Sequence, residues 1–335
     1  MMMPAEPILA AVFLATLAAT VAATRAVLGW LRRRRILDHP NERSSHRLPT
    51  PRGGGLAVTP VILLAWAGLA AAGHGMPGQT PAMLGAAGLL ALSWRDDRGH
   101  LPAGLRLCLH LAAGGLGLAG LGHDQLVFQG LLSWPADRLA ALLAWVWFTN
   151  LYNFMDGIDG ITGVETAAIG LGLALLPGFA GAPQAVAVAA AGLGFLDWNW
   201  HPARIFLGDA GSVPLGYLLG WLLLSAAADG HWAAALILPA YYLADATLTL
   251  AARAWRRERV WQAHRRHFYQ RAVSGGASHA RVAGLILAAD LPLMVLALAA
   301  EGDPWTALAA AAAVVAGLLA ILRAWALKLP VDPAG

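Results

Sequence analysis

Long apolar runs alternate with short polar segments along the whole chain, and the runs are longer than any strand needs. A membrane helix takes roughly 17–25 apolar residues. Runs near or approaching that length recur at 8–30, 56–73, 80–94, 104–122, 138–152, 161–178, 184–199, 212–228, 232–252, 279–299 and 304–327. The pattern predicts an all-α, polytopic integral membrane protein of about 11 spans, forming one catalytic domain over 1–335. Its candidate active-site loops are 31–55, 94–104, 150–161, 199–212 and 253–279. The apolar stretch from Ile8 to Val27 precedes its basic cluster, the reverse of a cleavable signal peptide, so it reads as a retained first span.

Composition supports the bilayer as solvent. Hydrophobic residues make up 58% and charged residues 13%, and mean hydropathy is +0.59. A water-soluble fold cannot hide that much apolar surface. The net charge of +4 does not mark a nucleic-acid binder, because the basic residues sit in short runs between spans. Those runs set the orientation. With the N-terminus outside and the C-terminus cytoplasmic, 21 of the 23 Lys and Arg residues fall on the inner side, Arg25 and Arg138 excepted. Arg32 to Arg35 follow an apolar span directly and serve topology. Cys108 is the single cysteine and lies in an apolar stretch, which excludes a disulfide or a cysteine metal site. The glycines of 113–122 are read as helix-packing positions.

Candidate chemistry gathers on the inner side. Asp96, Asp97, Asp156, Asp159 and Asp209 all fall at inner helix ends, embedded in Gly or Asn, whereas Asp124, Asp137, Asp229 and Asp303 are scattered outside. Packed carboxylates repel unless a cation joins them, and hard oxygen donors with substrate phosphate suit Mg²⁺. Arg43, Arg47 and Arg52 stand in the first inner loop, and His264, Arg265, Arg266, His267 and Arg271 in the last. The run Arg52-Gly53-Gly54-Gly55 can bend close to a ligand and turn N–H groups toward an anion at a helix start. His264 and His267 would share one face of a helix and, with arginines interleaved, are read as anion-binding. Asp245 and Asp290 lie within spans, where each is read as a residue near a helix end, protonated or hydrogen-bonded to its neighbours, with a groove or relay as the alternative. His110 is read as a packing residue. Acids, anion-binding loops and a membrane together point to an enzyme acting on a phosphorylated lipid with a water-soluble phospho-donor.

The motifs Pro51-Arg52-Gly53-Gly54-Gly55, Asp96-Asp97, Asn150 through Gly160 and Phe206-Leu207-Gly208-Asp209-Ala210-Gly211-Ser212, with Arg106 nine positions after Asp97, occur in order. On them the chain resembles the polyprenyl-phosphate N-acetylhexosamine-1-phosphate transferases, from about Asp38 to Arg271. The resemblance implies that Asn153 and Asp209 hold Mg²⁺, for which Mn²⁺ can substitute. It implies that Asp96, Asp97 and Asp156 are catalytic and that Phe206 stacks on uracil. Asp159 would help recognise the nucleoside. His264, His267 and Arg271 would grip the pyrophosphate, with Arg52 also binding substrate. It further implies UDP-N-acetylhexosamine, undecaprenyl phosphate and the lipid bilayer as partners, no nucleic acid, the bacterial inner membrane as location, and allows a homodimer. Arg43-Ser44-Ser45-His46 is most like the O-antigen branch of the family. Arg266 stands where other members often have a third histidine, which weighs against the peptidoglycan branch, whose members carry three consecutive histidines. Phospho-MurNAc-pentapeptide transfer is the alternative within enzymes, and a transporter of an anionic metabolite the alternative outside them.

Overall fold

A computed structural model describes residues 5–40, 48–99, 101–260, 262 and 264–327. The described chain forms α1 (Ala5–Arg34), β1 (Leu37–Asp38), β2 (Thr50–Pro51), α2 (Gly55–Ala71), α3 (Gln79–Gly99), α4 (Ala103–Leu118) and α5 (Trp134–Phe154). It continues as α6 (Ile161–Ala174), α7 (Ala182–Asn199), α8 (Asp209–Ala228), α9 (Trp232–Ile237), α10 (Ala240–Trp255), α11 (Phe268–Ser274), α12 (His279–Ala299) and α13 (Pro304–Ala326). The Arg43-Ser44-Ser45-His46 stretch and Arg47 lie outside the described residues.

Each predicted apolar run falls on a helix, but the run at 232–252 falls on two. Pro239 separates α9 from α10. Proline offers no backbone N–H, which favours such a break. Four helices, Pro7–Arg34, Asp209–Ala228, His279–Ala299 and Pro304–Ala326, are long and apolar enough to cross a membrane. Gly55–Ala71, Ala103–Leu118 and Ile161–Ala174 are shorter apolar helices. Large apolar side chains such as Leu64 (72% exposed) and Val295 (65% exposed) face outward, which only an apolar surrounding makes cheap. The protein is a multi-pass membrane protein.

The centre is α8, almost wholly buried and packed against α2, α3, α5, α6, α7 and α9. Small residues bring its neighbours close. A Cβ on Gly117 would lie 2.3 Å from the Trp145 ring and 2.6 Å from Tyr217 Oη, which bears out the packing role of that glycine-rich run. Buried polar groups are mostly partnered, as a low-dielectric interior requires. Gln79 Nε2 donates to Trp66 O at 2.7 Å and Gln184 Nε2 to Gln79 Oε1 at 2.9 Å. Asp137, one of the acids expected on the outer side, is fully buried and accepts from the backbone N–H groups of Val127 and Phe128. Asp290 departs from the helix-end and hydrogen-bonded parts of its expected reading: it sits in mid-α12, and neither carboxylate oxygen meets a hydrogen-bond donor among the described residues.

Candidate active site

The N-terminal turn of α8 is where several of the polar loops singled out above converge. Gly208, at φ +74, turns the chain into the helix, and Asp209 is its first residue. Asp97, at the polar end of α3 beyond the apolar stretch 80–94, accepts from Asp209 N at 3.2 Å and from Ala210 N at 3.0 Å. It therefore caps another helix's N-terminus, where free N–H groups and the helix dipole favour a carboxylate. Arg52 Nη2 bridges Asp97 Oδ1 at 2.9 Å and Asp209 Oδ1 at 2.8 Å. Arg106 Nη1 lies 2.8 Å from Asp96 Oδ2 and 3.9 Å from Asp209 Oδ2, while Leu101 N donates to Asp96 Oδ1 at 2.6 Å. Asp96, Asp97 and Asp209 are thus brought together, and two guanidinium groups offset part of their charge.

Asp156 and Asn153 enter from the end of α5. Thr162 Oγ1 donates to Asp156 Oδ1 at 2.6 Å, and Ser212 Oγ donates to Asn153 Oδ1 at 2.5 Å. The second bond ties the α5 end to the first turn of α8. Burial pushes the Asp97 carboxyl up to about 6 against the opposing pull of Arg52. Burial likewise pushes Asp156 up to about 6, opposed by Thr162 and Arg52. Burial alone would lower the Arg52 guanidinium, but Asp209 and Asp97 outweigh it and hold it raised.

The glycine run does something other than cradle an anion. Gly53 N and Gly54 N donate to Phe206 O at 3.1 and 2.9 Å, and Gly55 N to Leu207 O at 2.9 Å. All three N–H groups are spent on the α7–α8 loop. The glycines are needed for proximity: a Cβ on Gly55 would meet Gly211 N at 2.1 Å. The same contact pins Arg52 beside Phe206, with Phe206 N donating to Pro51 O at 2.8 Å.

Asp159 stands apart from the other four acids. Its Oδ2 accepts from Ala203 N at 3.1 Å and faces His201 Nδ1 at 2.6 Å and His279 Nδ1 at 3.3 Å. Burial would raise this carboxyl, but the hydrogen bonds from His279 and His201 prevail and hold it below the usual carboxylate range. Neither histidine was singled out from the sequence; each lies alone in a polar loop or at a helix start, without a spacing to betray it.

In the last loop, 264–267 precedes a helix instead of belonging to one. His267 is the N-cap of α11, and its ring still lies 4.8 Å from that of His264. His267 Nδ1 is 3.1 Å from Asp245 Oδ1. Asp245, at zero exposure, also accepts from Phe268 N and Tyr269 N, and from Tyr241 Oη and Thr249 Oγ1. The hydrogen-bonded reading of this acid holds, and its partners show what it does: it fixes the start of α11. Tyr269 Oη then donates to Phe154 O at 3.2 Å, and a Cβ on Gly157 would lie 2.2 Å from Tyr269 Oη. The last loop is thereby packed onto the turn that carries Asp156. Burial, then His267 and Arg253, push His264 down to about 4, so its imidazole is neutral at pH 7. Arg271 is exposed on α11. Arg253 is buried and donates to the carbonyls of Arg259, Val260 and Gln262, shaping the preceding segment.

A cavity of about 460 Å³ opens beside this cluster. Asp96, Arg106, Asn153 and Asp209 line its polar part, and Leu92, Leu107, Phe154 and Val213 its apolar part; His110 also lines it. Such a site can hold a phosphate against arginine and an adjoining hydrocarbon chain.

Comparison with known proteins agrees. Residues 80–227 match the model of glycosyl transferase family 4. The chain is 29% identical over 259 residues to the probable undecaprenyl-phosphate N-acetylglucosaminyl 1-phosphate transferase of Bacillus subtilis, covering 72% of this chain and 71% of that one. It is 34% identical over 222 residues to the decaprenyl-phosphate N-acetylglucosaminephosphotransferase of Mycolicibacterium smegmatis, covering 57% and 54% of the two chains. It is 36% identical over 141 residues to the phospho-N-acetylmuramoyl-pentapeptide-transferase of Moorella thermoacetica, covering 37% and 44%. The match thus spans about half the length of the latter two. The matched segment includes Asp96-Asp97, Asn153, Asp156 and Asp209, the residues that the fold gathers at the start of α8. The resemblance to the polyprenyl-phosphate N-acetylhexosamine-1-phosphate transferases is thus supported by the glycosyl transferase family 4 match over residues 80–227 and by relatives named for that activity.

Proposed function

We propose that this protein transfers an N-acetylhexosamine-1-phosphate from a UDP-sugar to undecaprenyl phosphate at the cytoplasmic face of the bacterial inner membrane. UMP is released and a lipid-linked envelope glycan, such as O-antigen, is begun. The observation that carries this is the carboxylate–arginine cluster at the start of α8, opening onto a cavity with one polar and one apolar wall.

An oxygen of the lipid phosphate attacks the sugar-bearing phosphorus, and the bond to UMP breaks. The acceptor monoester is already largely ionised at pH 7, since its second pKa is near 6. Positioning and charge neutralisation therefore supply most of the rate. Arg106, on the cavity wall, receives the acceptor phosphate, and Asp96 orients that guanidinium. Asp97 has both oxygens engaged by the α8 turn and Arg52, which supports an orienting role over that of a free base. Asp156 stays mostly ionised at pH 7. Asn153 and Asp209 offer only oxygen donors beside one another through Ser212 and α8, a set that fits Mg²⁺ or Mn²⁺. The ion supplies charge stabilisation to the diphosphate when bound. Phe206 stacks on the base, and His264, His267 and Arg271 meet the diphosphate, His264 as a neutral donor.

Asp209→Ala should abolish UMP release while leaving membrane insertion intact; full activity in that variant would remove Asp209 from the metal set. Phospho-MurNAc-pentapeptide transfer is the second reading, favoured by the muramoyl-pentapeptide relatives and opposed by Arg265-Arg266 between the two histidines. Substrate uptake without turnover would favour a carrier.

A further inference from the structure

The Asp159 cluster assigns a role to a residue outside the expected set. Asp159 is only 6% exposed, and its Oδ2 is already shared by Ala203 N, His201 Nδ1 and His279 Nδ1. The exposed member is His201, whose side chain is 38% accessible against 7% for Asp159 and 8% for His279. An imidazole nitrogen 2.6 Å from a carboxylate carries the proton of that hydrogen bond. The other ring nitrogen, Nε2, is left for a ligand, and no hydrogen bond to a described residue occupies it.

The cluster is shaped as a hydrogen-bonded clamp, and a metal would need it rearranged. Its ligand atoms lie within 4.8 Å of one another. However, bonds near 2.0–2.1 Å in a tetrahedral site hold donors about 3.3 Å apart, which the 2.6 Å separation of Asp159 and His201 does not allow. The Ala203 N–H also occupies the shared oxygen.

The clamp holds one loop. Asn199 accepts from Gly160 N at 2.9 Å and donates to Ile205 O at 3.0 Å, so the loop between α7 and α8 is tied to the Asp159 turn at both its start and its middle. That loop presents His201 and, five residues on, Phe206, before ending at Asp209. The His201 and His279 rings are 4.9 Å apart, so His279 closes the inner side of His201.

We propose that His201 is the side chain that contacts the nucleotide of the donor, and that Asp159 and His279 are positioning residues that hold its ring. The proposal rests on the transferase reading above. The neutral Nε2 accepts from an N–H or O–H of the nucleoside; the imidazolium donates to a carbonyl or phosphate oxygen. Asp159 therefore acts on the nucleotide through His201.

UMP titration into the purified full-length protein tests this, followed by steady-state kinetics with UDP-sugar and polyprenyl phosphate. Loss of one ligand hydrogen bond corresponds to about a tenfold effect. His201→Ala and the ring-preserving His201→Phe should each weaken UMP about tenfold and raise KM for the UDP-sugar by a similar factor. Turnover should stay within about twofold and KM for the lipid should not move. Asp159→Asn should weaken UMP comparably, and add little once His201 is gone, because both act through one ring. Unchanged UMP affinity in both His201 variants overturns the proposal. So does an Asp159→Asn effect that multiplies fully with His201→Phe, since Asp159 would then read the nucleoside itself. If the unmodified protein binds no UMP, the transferase reading fails first, before any variant is made.

Discussion

Gly55→Ala tests whether the site depends on how closely α2 approaches the start of α8. A Cβ at this position meets Gly211 N at 2.1 Å and Ala210 C and Gly211 Cα at 2.3 Å. An ordinary contact begins near 3.4 Å, so the shortfall is about 1.3 Å. The obstacle is backbone, which cannot rotate aside, and it is the turn that carries Asp209. Parting the two helices would strain the Gly55 N to Leu207 O bond of 2.9 Å and pull Arg52 from Asp97 and Asp209. Overpacking of this kind costs about 1–3 kcal/mol, and displacing catalytic groups by about 1 Å costs on the order of 100-fold in rate. The variant is therefore expected to lower UMP release about 100-fold and to reduce the melting temperature in detergent. Gly68→Ala on the same helix is the control, since a Cβ there meets nothing within 4 Å; it should be neutral or slightly stabilising. A Gly55→Ala protein with wild-type turnover and melting would refute the claimed geometry.

Asp245→Ala removes the acceptor for five donors; with each buried orphan costing about 1–3 kcal/mol, it should destabilise the protein by several kcal/mol. Faster hydrogen exchange at Phe268 and Tyr269 is the direct readout, and unchanged protection would contradict the role given to Asp245. Arg52→Ala should cost about 2 kcal/mol, discounted for a guanidinium that is partly exposed. Arg52→Ala with Asp97→Asn should cost less than the two apart, and strict additivity would show the pair to be uncoupled. Because the Asp159 carboxyl is held below its ordinary value, its stabilisation is present at neutral pH and lost as pH falls through the folded-state pKa, below about 4. The melting difference between wild type and Asp159→Asn should accordingly persist from pH 7 to 5 and close only in more acid solution; closure by pH 6 would reverse the assignment.

Apolar periodicity made the helices legible, because burying a span in lipid leaves a long one-dimensional record. The motif acids were legible for a related reason: Asp96-Asp97 and Asp156 follow apolar runs and Asp209 precedes one, each in a short polar segment. Long-range partnership left no such record. That Asp97 caps α8 from 112 residues away, or that Arg52 neutralises it, follows from helix packing and from no local spacing. Arg106 was visible only as a family position, and its bond to Asp96 needed the fold. The glycines after Arg52 were recognised as backbone that approaches something closely, but the something is Phe206 and Leu207. Pro239 breaks a run whose hydropathy reads as continuous, and Asp245, six residues beyond it, looked like an isolated intramembrane acid until α11 was seen to be capped by it. His201 and His279 each stand in a loop or at a helix start, 78 residues apart, and only the Asp159 carboxylate between them makes them a unit.

The most direct measurement combines purified protein, undecaprenyl phosphate and a panel of UDP-sugars, with UMP followed in time and the lipid product identified by mass. The account predicts UMP release that requires a divalent cation and the lipid phosphate together. It also predicts a lipid heavier by one N-acetylhexosamine-1-phosphate. Exclusive use of UDP-MurNAc-pentapeptide would move the chain to the peptidoglycan reaction. No product with any UDP-sugar, in protein that is folded and inserted, would contradict the account.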